Sequence, residues 1–242
     1  MKAIFKKEIT LFTKNKVNII TVCILLLTYS LILFTNVFNL SILDGGYANI
    51  DIFFSLSPIV FLIYIPAISM RSFSEEYKNG TIDILLTKPI PTIKLILSKY
   101  LSVLFIIILS IIPTIIYPLS VYFLGEEIGN IDLGSIIGSY IGLLLLCLVF
   151  TSISIFSSIL TKNQLNAFII GVFLNIVSYY GFDILSQLFD NGQIGLIIKK
   201  IGILQHYDLL SKGLISFSDI IYFLSLSSVF LLFSNYIIKN KK

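Results

Sequence analysis

The sequence is poor in the residues that carry most protein chemistry. It has a single histidine, His206, and two cysteines, Cys23 and Cys147. One histidine excludes, within one chain, a metal site that needs two histidines, and it offers little to a Ser–His pair. Both cysteines lie inside long apolar runs, where packing is their usual role, so a disulfide and redox chemistry are not indicated. His206 itself has two interpretations, an interfacial residue or a pH sensor.

Two further absences concern the source of energy. The sequence contains no Gly-x-x-x-x-Gly-Lys-Ser/Thr motif, so the chain has no recognisable phosphate cradle for ATP hydrolysis. Its long apolar runs contain no Asp, Glu, Lys, Arg or His, whereas an ion-driven transporter usually places an ionisable group within the membrane. Coupling to an ion gradient is therefore disfavoured.

Six long apolar runs dominate what is present. Each reaches the roughly 18 to 20 residues that a helix needs to cross about 30 Å of hydrocarbon. Barrel strands would be shorter and would alternate, so the runs predict helices. The fold class is therefore an all-α membrane protein with six transmembrane helices. The predicted spans are about 17–40, 52–70, 100–124, 134–160, 164–182 and 220–238.

The positive charges orient these spans. Fourteen of the 17 Lys and Arg residues lie at 1–16, in the loop 71–99, at Lys162 and in the tail. The opposite loops hold three lysines and nine of the 13 acids. Short cytoplasmic loops retain Lys and Arg, so both termini are predicted to be cytoplasmic. The same asymmetry accounts for the net charge of +4, and no segment offers the basic soluble face that a nucleic acid would need.

Two segments outside the spans are also predicted to be helical. Residues 1–16 place Ile4, Phe5, Ile9 and Phe12 near one helical face, which is typical of a helix lying in the membrane interface. A disordered basic anchor is the alternative. The outer segment 183–219 is apolar but interrupted by charge, so it predicts one or two re-entrant helices that dip into the outer leaflet.

The loop 71–99 is the one cytoplasmic loop large enough to bind a partner. Ser72 and Glu75 have the spacing of a capping box, and Gly80 breaks the helix that they would begin. A new short helix must then stop before Pro89. One side of it is lined by Ile82, Leu85 and Leu86. These residues either present an apolar stripe to the cytoplasm or pack within their own bundle.

Arg71 is the sole arginine of the chain. A lysine would suffice for a charge at the membrane surface, so a guanidinium suggests bidentate pairing. Glu75, one helical turn away, is the nearest candidate for a loop ion pair. The alternative is that one arginine is an accident of composition.

Glu75 and Glu76 also resemble the start of the EExxxR motif of CAAX-type intramembrane proteases. Gly80 stands where that motif has arginine, and the remaining chemistry of a catalytic pocket is missing. An intramembrane enzyme, which would be active as an isolated chain, is therefore a weak interpretation. No catalytic and no metal-binding residue is predicted.

The whole chain resembles the permease subunit of type-2, exporter-class ABC transporters. The residues that carry this resemblance are 71–89 with Lys99, and 205–224 before the last span. Within the class the chain is most similar to gliding-motility permeases of Bacteroidetes, through 129–142, 157–164 and 180–186. The resemblance implies one permease domain, 1–242, in the bacterial cytoplasmic (inner) membrane.

The resemblance also implies partners. Two permease chains, either two copies or one copy with a permease-like partner, would face each other within the membrane lipid. Each would dock a cytoplasmic ABC ATPase, which binds the ATP and Mg²⁺, whereas this chain binds no cofactor. The family's coupling helix maps onto 80–86. The expected coupling residues are Glu75, Glu76, Gly80, Thr81, Ile82, Asp83, Leu85 and Leu86.

The predicted function is to couple ATP hydrolysis by that ATPase to substrate export or to gliding motility. In this hypothesis the apolar stripe fills a groove on the ATPase and the acids fix its register. A translocation path between two copies would use polar span residues, for which the candidates are Asn36, Asn39, Asn166 and Asn175. The alternative is a structural anchor of a motility or secretion machine that transports nothing.

Overall fold

The computed structural model of the chain describes residues 5, 7–10, 16–35, 50–87, 90–124, 131–189 and 192–240. These ranges contain helices and no strand, which confirms the all-α prediction for them. A 3-10 turn at Ile112–Ile115 joins the fifth helix to the sixth. The helices are α1 Lys16–Phe34, α2 Asp51–Ser69, α3 Arg71–Lys78, α4 Thr81–Thr87, α5 Thr92–Ile111, α6 Ile116–Leu124, α7 Leu133–Leu160, α8 Gln164–Gln187, α9 Gly192–Ile201, α10 Ile203–Leu210 and α11 Phe217–Asn240.

Five helical stretches in the described ranges are long and apolar enough to cross a membrane. They have 24 to 33 residues each: Asp51–Lys78, Thr92–Leu124, Leu133–Leu160, Gln164–Gln187 and Phe217–Asn240. The first predicted span, 17–40, is represented by the shorter apolar stretch Ile20–Phe34. The chain is therefore a multi-pass membrane protein with five full-length candidate spans in the part that the structure describes.

The helices extend further into the loop 71–99 than the sequence predicts. Met70 keeps helical angles, with φ −53° and ψ −32°, so α2 continues into α3. The predicted capping box is wrong, because Ser72 lies inside this continuous helix and α3 has no side-chain cap. At the other end of the loop, α5 begins at Thr92, directly after Pro91, rather than near residue 100. Most of the predicted loop is therefore helical.

Polar caps define where α7 and α8 begin. The Asp132 carboxylate accepts hydrogen bonds from the backbone N–H groups of Gly134 (3.0 Å) and Ser135 (3.2 Å). The Asn163 side-chain oxygen accepts one from the N–H of Leu165 at 3.0 Å. Such caps satisfy N–H groups that the first helical turn leaves without partners. The short connection at 161–163 makes α7 and α8 neighbours in space.

Helix α7 lies at the centre of the bundle. It packs against α2, α3, α5, α8, α10 and α11. Its buried hydroxyl side chains are Ser139, Thr151, Ser152, Ser154, Ser157 and Ser158. Small hydroxyl residues let helices approach closely and bond across the interface, as when the Ser157 hydroxyl donates to the Ala167 carbonyl at 3.1 Å. Close approach around α7 therefore organises the bundle.

The segment 183–219 contains the two short helices α9 and α10. Helix α10 is anchored in the bundle by buried Ile203, Tyr207 and Leu210, and the Tyr207 hydroxyl donates to the Phe54 carbonyl at 2.7 Å. Helix α9 buries no side chain fully and packs along α8. Insertion of this pair into the outer leaflet stays a prediction.

Replacing Gly138 by alanine should destabilise the contact between α7 and the turn after α10. A Cβ at Gly138 would lie 2.7 Å from the Cα and carbonyl oxygen of Gly213, and backbone cannot move aside as a side chain can. Overpacking of this kind costs about 1 to 3 kcal/mol. Denaturant or thermal unfolding of the purified chain measures the loss. Gly181→Ala is the control, because its Cβ would meet nothing closer than 3.6 Å, and an equal loss there would contradict the explanation.

Candidate functional site

The predicted coupling segment consists of α3 and α4, which meet at Gly80. Helix α3 ends with the Asn79 N–H donating to the Glu75 carbonyl at 2.9 Å. Gly80 then has a φ of +66°, a left-handed conformation that glycine adopts without the steric cost that a side chain brings. The helix is interrupted there, so α4 is a separate short helix.

Helix α4 turns most of its apolar residues towards its own chain. Ile82 is only 4% exposed and belongs to the core, while Leu85 and Leu86 are half-buried against it. Ile84, in contrast, is 63% exposed. The exposed polar residues of α4 are Thr81, Asp83 and Thr87. The interpretation that the stripe packs within its own bundle therefore fits Ile82, and the apolar residue open to a partner is Ile84.

A buried lysine joins the coupling segment to the rest of the chain. Lys99 of α5 is 1% exposed. Its ammonium group lies 2.9 Å from the Glu76 carboxylate and 3.1 Å from that of Glu8. It also donates to the Ser72 carbonyl and lies 4.9 Å from the centre of the Phe73 ring. A charge this deeply buried requires such compensation.

The Lys99 cluster consists of Lys99, Glu76 and Glu8, whose two carboxylates pair with the ammonium group. This cluster can fix the positions of α3, α5 and the N-terminal segment relative to one another. Within the described ranges, no group of three or more His, Cys, Asp or Glu side chains is placed to hold a metal ion.

The predicted ion pair between Arg71 and Glu75 is absent, although both residues are described. The ion pair of this segment joins Glu76 to Lys99 instead. Adjacent helix positions point about 100° apart, so when Glu76 faces α5, Glu75 points outward and is exposed. Arg71 and Glu75 both line a cavity of about 440 Å³ that also contacts α1, α2 and α5.

The N-terminal segment packs against the spans through both apolar and charged contacts. Residues 7–10 are helical. The Phe5 ring meets the Phe105 ring edge-on, with 6.0 Å between centroids, and Glu8 pairs with Lys99. Lys7 lies 4.0 Å from Glu76. The segment thus contacts the same Lys99 cluster that holds α3; its place in the membrane interface stays a prediction.

The four candidate path residues have different positions. Asn36 and Asn39 lie outside the described residues. Asn166, in the first turn of α8, is exposed. Asn175 is completely buried, and its amide donates to the Ser154 hydroxyl of α7 at 3.1 Å. Asn175 therefore joins two helices of its own bundle, which leaves Asn166 as the exposed candidate of the two that the structure describes.

Comparison with protein families gives one match that spans nearly all of these features. The model of the family described as ABC-2 family transporter protein matches residues 2–238. A comparison with curated proteins gives no match. The matched region runs from the N-terminal segment through α3, α4, α9 and α10 into α11.

Proposed function

Because the chain belongs to the ABC-2 family of transporter proteins, we propose that its α3–α4 segment docks a separate cytoplasmic ATPase. Membership and the five apolar helical stretches make the chain a multi-pass membrane permease of an ABC transporter. The proposal concerns how this permease receives energy. The observation that carries it is Ile84, a large apolar side chain that is 63% exposed on the short helix after Gly80.

One face of α4 contacts the ATPase, and another packs on the chain's own bundle. Ile84 is the apolar anchor that enters a groove on the ATPase, and exposed Thr81, Asp83 and Thr87 surround it. An apolar centre within a polar rim is the usual anatomy of a protein interface. Ile82 holds α4 on its own bundle, with Leu85 and Leu86 half-buried beside it. In this arrangement Ile82 determines the position of the contact without making it.

The Lys99 cluster fixes α3 in position while the ATPase pushes on α4. Glu76 is fixed to Lys99, and Ser158 of α7 bonds the α2–α3 junction. Its hydroxyl accepts from the N–H of Phe73 at 2.9 Å and donates to the Met70 carbonyl at 3.1 Å. A push on α4 therefore acts on a segment that is fastened to two spans. Exposed Glu75 is free to contact the ATPase, as the sequence predicts for the acids of this loop.

The wider assembly follows from the family resemblance and the charge asymmetry. Two permease chains, two copies or this chain with a permease-like partner, face each other in the bacterial cytoplasmic membrane with both termini cytoplasmic. ATP and Mg²⁺ bind to the partner ATPase. Exposed Asn166 lies near a path between the chains, and the assembly drives export of a substrate or gliding motility.

Purification of the tagged complex tests the ATPase partnership. The chain is tagged at its C-terminus, extracted from its native membrane in several mild detergents, and its stoichiometric partners are identified by mass spectrometry. We expect a P-loop ATPase in about equal amount and ATP hydrolysis by the complex that the isolated chain lacks. Recovery of the folded chain without any ATPase in every detergent would contradict the proposal.

A further inference from the structure

His206 is fixed on three sides at the point where the outer helices meet the last span. Its Nδ1 lies 2.5 Å from the Asp219 carboxylate at the start of α11, and its Nε2 lies 2.9 Å from the Lys200 carbonyl of α9. The Tyr222 ring stacks on the imidazole, with 4.1 Å between centroids and 21° between planes. The ring therefore bridges α9, α10 and α11.

Both ring nitrogens face hydrogen-bond acceptors. A backbone carbonyl can only accept, and an ionised carboxylate can only accept as well. The other Asp219 oxygen already accepts from the Ser216 hydroxyl at 2.7 Å. A neutral imidazole has one N–H group and can satisfy only one acceptor. Both contacts need a proton between donor and acceptor, which makes two protons. A neutral histidine beside an ionised aspartate supplies only one, so the site requires one more.

We propose that His206 and Asp219 form a proton-binding site whose proton fastens the α9–α10 corner to α11. The proton completes both hydrogen bonds, either as an imidazolium facing a carboxylate or shared with the Asp219 oxygen. Asp219 is only 3% exposed, and among the described residues it has no cation partner other than His206. Loss of the proton leaves either the exposed Lys200 carbonyl without its His206 donor or the buried Asp219 charge without a cation, and the second is the costlier.

The proton controls contacts between elements, since the two hydrogen-bond acceptors of the ring belong to different helices, Lys200 to α9 and Asp219 to α11. The Tyr222 hydroxyl of α11 donates to the Ile201 carbonyl at the end of α9, 2.6 Å away, beside the Lys200 carbonyl that His206 engages. When the site is protonated, α9, α10 and α11 are held together by two contacts of one ring. When it is deprotonated, one of these contacts opens and the corner loosens.

Other titratable and charged groups lie near the corner. From α9, Lys199 pairs with Asp183 of α8 at 3.6 Å, and Lys200 contributes its carbonyl. From α11, Asp219 and Tyr222 face the ring directly. On α10, burial raises the pKa of Asp208 above the ordinary value of an aspartate. Any stability from protonated Asp208 is lost as pH rises through its raised pKa, so Asp208 needs a control of its own.

Amide hydrogen exchange of the purified full-length chain at pH 5.5 and pH 8 tests the proposal. Rates for 199–210 are divided by the chemical exchange rate at each pH and compared with those of α7 in the same sample. We expect the corrected exchange of the corner to rise roughly tenfold at pH 8, the factor that corresponds to the loss of one hydrogen bond. Equal corrected exchange at both pH values would overturn the proposal.

Two variants separate proton binding from simple packing. Asp219→Asn lets a neutral His206 accept from the new amide and donate to Lys200, so the corner should stay protected at both pH values. His206→Gln should leave the corner loosened at both. Persistence of the pH response in Asp219→Asn would overturn the proposal even if His206→Gln fails to fold. Asp208→Asn is the matched control and should keep the response of the unmodified chain.

Discussion

Replacing Lys99 by methionine should lower the free energy of unfolding by about 3 to 5 kcal/mol, the cost of breaking a buried ion pair from one side. The ammonium group lies within 3.1 Å of both the Glu76 and Glu8 carboxylates and also bonds the Ser72 carbonyl. Methionine fills similar volume but leaves two partly buried carboxylates without a cation. Denaturant unfolding of the purified chain, followed by circular dichroism, measures the loss.

Two further variants test whether charge compensation is the cause. Lys94→Met removes an exposed lysine from the same helix and should change stability by less than about 0.5 kcal/mol. Lys99→Met combined with Glu76→Gln should recover part of the loss, because one uncompensated carboxylate becomes neutral. If Lys99→Met costs no more than Lys94→Met, the cluster does not stabilise the fold and the explanation is wrong.

Ile84→Asp should weaken binding of the ATPase by roughly 30-fold or more while leaving the chain folded. Truncation of a central apolar anchor typically costs an interface about 2 kcal/mol or more, which corresponds to that factor. Ile84 is 63% exposed, so a charge there meets water rather than the core. The amount of ATPase that co-purifies with the tagged chain, and the ATP hydrolysis of the complex, measure the effect.

Neighbouring positions of α4 supply the controls. Ile82→Asp places an unpaired charge at a position that is 4% exposed, and it should lower the stability of the chain itself. Ile84→Leu preserves an apolar anchor and should retain most of the ATPase. Retention of the ATPase at native levels by folded Ile84→Asp would remove α4 as the docking helix, although the chain would remain an ABC-2 family permease.

Local signals in the sequence determine several features of the fold. Asp132 and Asn163 each precede an apolar run, and both cap the helix that follows. Gly80 ends α3 because its φ of +66° suits glycine. The burial of Lys99 has no comparable local signal. Its partner Glu8 lies 91 positions away in the chain. The charge rule that orients the spans places all lysines of this loop in the cytoplasm, so it cannot distinguish buried Lys99 from exposed Lys94.

The orientation of α4 is equally hard to obtain from sequence. Helix α4 has seven residues, Thr-Ile-Asp-Ile-Leu-Leu-Thr, and four of them are apolar. The sequence of a helix that has fewer than two full turns and apolar residues on several sides does not show which side is buried. The choice between Ile82 and Ile84 depends on the bundle beneath the helix. The spacing of Arg71 and Glu75, one turn apart on α3, permits the predicted pair, so its absence is not explained by the local helix.

The continuous helix from Asp51 to Lys78 has a mechanical consequence. Its 28 residues extend about 42 Å at 1.5 Å per residue. The Ser158 hydroxyl bonds this helix near Phe73, about 8 Å from Lys78 and about 33 Å from Asp51. Pro58 and Pro66 lie in the longer part and remove helix hydrogen bonds there, so the helix can absorb a displacement of its Lys78 end by bending at the prolines instead of passing it on to Asp51.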